Sequence, residues 1–159
     1  MIIIGGGSAG LFFSEKYSEK NNDADKVTLI EEHTKPGLPV QCTGIITDEI
    51  NKLFSPKTVD KFALNRITNA KIYSPNNSAE LKINENIIID NVKFVEFLTE
   101  QAEKKDVKIL SGHKYLSNSG SSIKIKDIKS GKTKEHTGKT LIGADGPQSR
   151  VAAYNSLNE

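Results

Sequence analysis

Gly5, Gly7 and Gly10 stand in the spacing G-x-G-x-x-G, directly behind the β-branched run Ile2-Ile3-Ile4. Glycines so placed do phosphate chemistry with the backbone rather than with side chains. The first permits a tight strand-to-helix turn, the second lets a pyrophosphate approach the main chain, and the third lets the helix lie close to the strand. The helix opening there presents unpaired N–H groups and its positive dipole end to an anion. Gly5, Gly7, Ala9 and Gly10 are therefore the candidate contacts. A second apolar run, Val27-Thr28-Leu29-Ile30, ends at Glu31. An acid roughly 20 residues beyond such glycines is placed to accept hydrogen bonds from ribose hydroxyls. The bland alternative is a glycine turn without a ligand and an ordinary surface acid. Strand, turn, helix, strand and acid in that order favour a dinucleotide cradle.

Two further stretches carry chemistry. In Gly37-Leu38-Pro39-Val40-Gln41-Cys42-Thr43-Gly44 the proline stiffens the chain and the flanking glycines reach conformations closed to other residues. Cys42 lies among small neighbours, where a thiol can face a flat ring; on local chemistry alone it reads as a buried structural cysteine. The apolar run Thr140-Leu141-Ile142 ends in Gly143-Ala144-Asp145-Gly146. A carboxylate there can accept from sugar or polyol hydroxyls, or simply shape an Asp-Gly turn.

Taken together, Gly5-Gly6-Gly7-Ser8-Ala9-Gly10, Glu31 and the Pro39-Val40-Gln41-Cys42 element resemble the archaeal and bacterial geranylgeranyl reductase family, flavoproteins with the fold of the aromatic hydroxylases. The resemblance implies an FAD cofactor, with Cys42, Thr43 and Gly44 beside the isoalloxazine ring and Asp145 near the ribityl or pyrophosphate region. It makes Tyr115 the candidate for a backbone contact to adenine. Cys42 is the one residue it suggests testing for an influence on turnover. The family opens a later helix with an Asp-Arg pair whose arginine helps hold FAD. Here the pair is Asp90-Asn91, and that role is not carried over.

The family reduces isolated double bonds of prenyl chains, including those of archaeal membrane lipids. The partners so implied are a prenyl lipid substrate and an electron donor. The resemblance covers the whole chain but only the front of the family's usual length, so 1–159 is expected to be a partial FAD-binding domain, with a hairpin insertion over about 61–90 and the substrate domain mostly absent. An FAD-dependent aromatic monooxygenase shares the first and third motifs, although Pro39-Val40-Gln41-Cys42 speaks against it. A truncated, non-catalytic nucleotide-binding module is the reading from a different class.

The elements that must position these groups follow from periodicity. Helices are expected over Leu11 to about Asn21, with Phe12, Phe13 and Tyr17 inward, Glu15 and Lys16 facing water, and Asn21-Asn22-Asp23 ending it; over Thr47 to Leu53, capped by Thr47 and ended before Pro56; and over Asn91 to Lys105. Parallel strands are expected at Ile2–Ile4, Val27–Glu31, Val107–Leu110 and Thr140–Gly143. Antiparallel pairing is expected for Ala70–Tyr73 with Ala79–Ile83, for a separate strand end at Ile87–Ile89, and for a meander over Lys114–Leu116, Ser122–Ile128 and Lys132–His136, with Ser117–Ser122 largely loop. The fold class is α/β, Rossmann-like.

Composition agrees with that class. The chain has 159 residues, 36% of them hydrophobic, and 22 basic against 20 acidic residues, so nothing in the charge points to nucleic acid. A negative mean hydropathy and the lack of a long apolar run leave no spanning helix, so membrane contact would be peripheral at most. One cysteine excludes an internal disulfide and suggests a cytoplasmic protein. No signal peptide precedes the abrupt first strand, which reads as a trimmed N-terminus. His33, His113 and His136 lack metal-ligand spacing and read as scattered surface residues.

Overall fold

The computed structural model describes residues 1–21, 26–120 and 122–157. They form two compact units, one of residues 1–39 with 95–159 and one of residues 40–94.

The first unit is built on a four-stranded parallel sheet in the order β10 (Leu141–Gly143), β1 (Ile2–Ile4), β2 (Thr28–Ile30), β6 (Lys108–Leu110). β1 is central and all three isoleucines are buried, as a strand covered on both faces requires. Ile2 and Ile4 pack with Ile30, Tyr115, Ile123, Ile125 and Val151. That cluster brings in the antiparallel meander β7 (His113–Ser119), β8 (Ser122–Asp127), β9 (Thr133–Thr137) and the short helix α4 (Arg150–Tyr154). Helix α1 (Ser8–Lys20) packs on β1 and β2, burying Leu11 and Ser14 completely.

Several expectations for this unit are corrected. Helix α1 starts at Ser8 rather than Leu11, because Gly7 already sits at its N-cap. Two residues past Leu11, Phe13 points about 200° round the helix; it is 41% exposed and packs instead on Tyr17, 6.0 Å away between ring centroids. Glu15 was expected in water but adjoins the inward face at Ser14 and is buried, its carboxylate 3.2 Å from Lys16 Nζ. Asn21 closes the helix by donating to Tyr17 O, while Asn22 and Asp23 lie outside the described residues. Ser117–Ser119 and Ser122 belong to the meander strands, not to a loop.

The second unit is a three-stranded antiparallel sheet, β3 (Ile45–Thr47), β5 (Ser78–Ile89), β4 (Ala63–Tyr73), with a 3₁₀ turn at Asp48–Lys52 and a short helix α2 (Pro56–Val59). Val59, Phe62, Ile87, Ile89 and Phe94 form its buried apolar set, with Phe62 and Phe94 4.8 Å apart between centroids. Here the sequence reading was too fragmentary. The Ile87–Ile89 run is the end of β5 itself: the strand continues through Asn84-Glu85-Asn86 because Asn86 and Ile87 stay paired with Ile67 and Arg66 of β4. Thr47 occupies the N-cap of the 3₁₀ turn, but its hydroxyl makes no capping bond. Pro56 starts a helix rather than stopping one, at the position where its missing N–H costs nothing, and Ser55 caps it. Helix α3 (Asn91–Glu103), most of which belongs to the first unit, opens with Asp90 accepting from Lys93 N–H at 3.1 Å.

Candidate functional site

The sheet of the first unit has a topological switch point at β1. The crossover through α1 carries the chain to β2 on one side, whereas β10 docks on the other, with Ile4 opposite Gly143. A crevice outside the carboxyl ends of the strands at such a point is where open α/β sheets take their ligands. Gly5, Gly6, Glu31, Ala144 and Asp145 all follow the ends of these strands.

Each glycine has a distinct steric reason. Gly5 has φ +107° and donates its N–H to Ile30 O at 2.9 Å. A side chain there would come within 2.3 Å of Ala144 O. Gly10 lies so close to the Gly5 carbonyl that a Cβ would stand 2.1 Å from it, which lets α1 approach the strand end. Gly7 differs, because a Cβ built on it meets nothing within 4 Å. Open space therefore lies beside the α1 N-cap, where Ser8 and Ala9 are exposed in the first turn and the leading N–H groups have no intrahelical acceptor.

Glu31 is buried at 7% exposure. Its Oε2 accepts the Gly6 N–H at 2.6 Å, and its Oε1 accepts both the main-chain N–H and Nδ1 of His33, each at 2.7 Å. Glu31 thus ties the glycine loop to the end of β2. The sequence reading missed Gly6 and His33. The middle glycine of the triplet has no part in the spacing rule, yet a Cβ there would lie 2.9 Å from Glu31 Oε2. His33, read as a scattered surface residue, is engaged because it sits two residues after a strand-end acid, close enough to fold back on it. Next to it, Glu32 accepts from Lys114 Nζ at 2.8 Å, and this bond holds its carboxyl below the usual range.

Asp145 is spoken for within the protein. Its Oδ1 accepts from Ser149 Oγ at 2.6 Å and its Oδ2 from the N–H groups of Arg150 and Val151 at 2.7 and 3.2 Å, so it caps α4. Ser149 Oγ in turn accepts from Ala152 N–H at 2.9 Å. Tyr115 is a core residue of β7, paired with Ile125, and its hydroxyl donates to Asn118 Oδ1. Burial pushes its phenol above the ordinary value.

Cys42, Thr43 and Gly44 belong to the second unit. Gly44 has φ +71° and accepts from Ile89 N–H at 2.8 Å; a Cβ there would lie 2.8 Å from Ile89 O. The Gly44 N–H donates to Cys42 Sγ at 3.4 Å, so the turn has a set shape. The buried structural cysteine expected from local chemistry is not found: Cys42 and Thr43 are both exposed, because the turn carries them outward from the sheet edge.

Among the described residues no helix is long and apolar enough to cross a membrane. No protein-family model matches the chain. An uncharacterised protein from the nifH2 5′ region of Methanosarcina barkeri is 28% identical over 167 residues, covering 99% of this chain and 87% of that protein. Digeranylgeranylglycerophospholipid reductase 3 of Methanosphaera stadtmanae is 26% identical over 172 residues, covering 99% of this chain and 42% of the reductase. Among solved structures, a geranylgeranyl bacteriochlorophyll reductase-like protein of Thermoplasma acidophilum superposes with a TM-score of 0.79 at 20% identity, over 99% of this chain and 41% of its own. The flavin-dependent monooxygenase PieE, solved with FAD and substrate, gives 0.77 at 20% identity, over 98% of this chain and 31% of its own. The chain therefore has the fold shared by flavin-dependent monooxygenases and geranylgeranyl reductase-like proteins, is similar in sequence to an archaeal prenyl-lipid reductase, and spans less than half the length of these larger proteins.

Proposed function

We propose that this chain is the FAD-binding portion of an oxidoreductase that reduces isolated double bonds of geranylgeranyl chains in lipid biosynthesis. The observation that supports the cofactor assignment is the open space at Gly7 beside the exposed first turn of α1, in a glycine loop whose preceding residues Gly5 and Gly6 pack against Ala144 and Glu31. The residues fit an adenine dinucleotide. The N–H groups of the α1 first turn would take the pyrophosphate. Glu31 would accept from the adenosine ribose, and Asp145 would keep the Gly143–Gly146 turn in shape beside the polyol chain. Cys42, Thr43 and Gly44 would run along the ring, and the backbone at Tyr115 would meet adenine. When bound, a reduced flavin supplies the hydride for saturation. The protein's own part is to hold that cofactor and exclude water.

The prenyl assignment draws on the Methanosphaera reductase and on the Pro39-Val40-Gln41-Cys42 element. The proposed substrate is a prenyl lipid, with a separate electron donor, and contact with a membrane would be peripheral. Titrating the purified chain with FAD, followed by quenching of flavin fluorescence, tests the cofactor. Mass spectrometry of a geranylgeranyl lipid incubated with the protein and reduced FAD tests the reaction, two hydrogens being gained per saturated bond. FAD binding with hydroxylation of an aromatic substrate would favour a monooxygenase instead. No FAD binding would leave an inert nucleotide-fold module.

A further inference from the structure

Glu31 has fewer open acceptor positions than its place at the end of β2 suggests. An ionised carboxylate offers about four lone-pair sites and no donor. His33 Nδ1, 2.7 Å from Oε1, must therefore carry its proton. With the His33 main-chain N–H also 2.7 Å away, both sites on Oε1 are filled by one residue. Gly6 N–H takes one site on Oε2. A single site remains, on Oε2.

We propose that His33 is a specificity-determining residue that restricts Glu31 to one of the two hydroxyls of an adenosine ribose. This rests on the adenine-dinucleotide reading above. The main-chain half of the clamp is fixed, since His33 O accepts from Gly112 N–H and Glu31 O from His113 N–H, each at 2.8 Å. The ring half is steered from both ends. Its Nδ1 bonds Glu31, while its Nε2 lies 3.9 Å from Oε1 of Glu32, whose Oε2 accepts from Lys114 Nζ at 2.8 Å. The imidazole thus occupies the position where a second ribose hydroxyl would have to donate.

The test compares ADP, 2′-deoxy-ADP and 3′-deoxy-ADP by isothermal titration against the wild type, H33F, H33A and H33N. In the wild type, one deoxy analogue binds about tenfold or more weakly than ADP, the loss expected for a hydrogen bond to a charged acceptor, and the other binds like ADP. H33F and H33A, which lack the ring donor, become sensitive to loss of either hydroxyl. H33N, whose amide can donate from a similar place, restores the one-hydroxyl pattern. Equal loss for both analogues in the wild type overturns the proposal, as does an unchanged pattern in both H33F and H33A. ADP binding that ignores both hydroxyls overturns it while leaving the phosphate cradle standing. A wild type that binds neither ADP nor FAD overturns this proposal and the cofactor reading together.

Discussion

Gly6 donates its N–H to Glu31 Oε2 at 2.6 Å, and a Cβ on Gly6 would lie 2.9 Å from the same oxygen. One short bond therefore both closes the glycine loop onto the second strand and forbids a side chain in the middle of the triplet. The loop that would hold a pyrophosphate and the acid that would hold a ribose are a single mechanical piece.

Gly6→Ala and Gly7→Ala should consequently fail in different ways. The Gly6 substitution pushes against the buried Glu31 side chain and should cost about 1–3 kcal/mol of stability, as overpacking does, together with FAD binding. The Gly7 substitution meets no atom within 4 Å and should change stability by no more than about 1 kcal/mol. Its methyl would instead fill the space assigned to the pyrophosphate, so FAD affinity should fall at least about tenfold. Denaturant melts beside flavin titrations check both. A Gly7→Ala chain that binds FAD normally would remove the pyrophosphate from that space.

Asp145 and Ser149 form one capping unit, because Ser149 Oγ donates to Asp145 Oδ1 while accepting from Ala152 N–H. Asp145→Ala removes the acceptor of the exposed Arg150 and half-buried Val151 N–H groups and should destabilise by about 0.5–2 kcal/mol, as loss of a helix cap does. Ser149→Ala should cost about 1 kcal/mol. Sharing a hydrogen bond, the two should combine to less than their sum by about 0.5 kcal/mol or more in a double-mutant cycle. Simple additivity would mean that the pair does not act together.

The phenol of Tyr115 is raised, first by burial, with the Asn155 amide opposing and with Tyr154 and Asp145 adding to the rise. A group whose neutral form is favoured in the folded chain contributes stability that is complete below the unfolded tyrosine value near 10 and is lost as pH climbs towards the folded one. An ultraviolet titration should therefore show Tyr115 ionising late, above the ordinary tyrosine value. Tyr115→Phe should remove that late step and flatten the alkaline loss of stability. An unchanged titration curve would show that another tyrosine is the late one.

What was legible in the chain is what the backbone dictates. Ile2-Ile3-Ile4 reads as a buried strand because β-branched residues without polar alternation have no solvent face, and Gly5 and Gly10 read correctly because their neighbours leave no room for a Cβ. The reading failed where tertiary partners decide. Phe13 is apolar but lies on the wrong side of α1, and Glu15 is charged but adjoins the buried face. β3, only Ile45–Thr47, is too short to show a period and exists through pairing with Ile87 and Ile88, some forty residues later. At the candidate site, Glu31 and Asp145 were visible as acids at strand ends, but their present partners, Gly6, His33 and Ser149, were not. Those contacts arise from loops folding back, which spacing alone does not encode.

Cys42 offers the most direct check on the proposal that its turn runs along a flavin. It is exposed, and its sulfur accepts only a long bond from the Gly44 N–H at 3.4 Å. Nothing is lost from a core when it is replaced, so Cys42→Ser should leave stability within about 0.5 kcal/mol of the wild type. As the chain's sole thiol it should react fully with a chromogenic disulfide without denaturant, giving a signal free of other cysteines. If Cys42, Thr43 and Gly44 run along a flavin ring, saturating FAD should slow that reaction at least about tenfold, whereas ADP, which has no ring system at that end, should leave the rate unchanged. Equal protection by both ligands would mean that labelling reports a general tightening of the chain, and no protection by FAD would take the Cys42 turn out of the cofactor site. The comparison thus separates the adenosine end, proposed for Glu31, from the ring end, proposed for Cys42, in one protein with one probe.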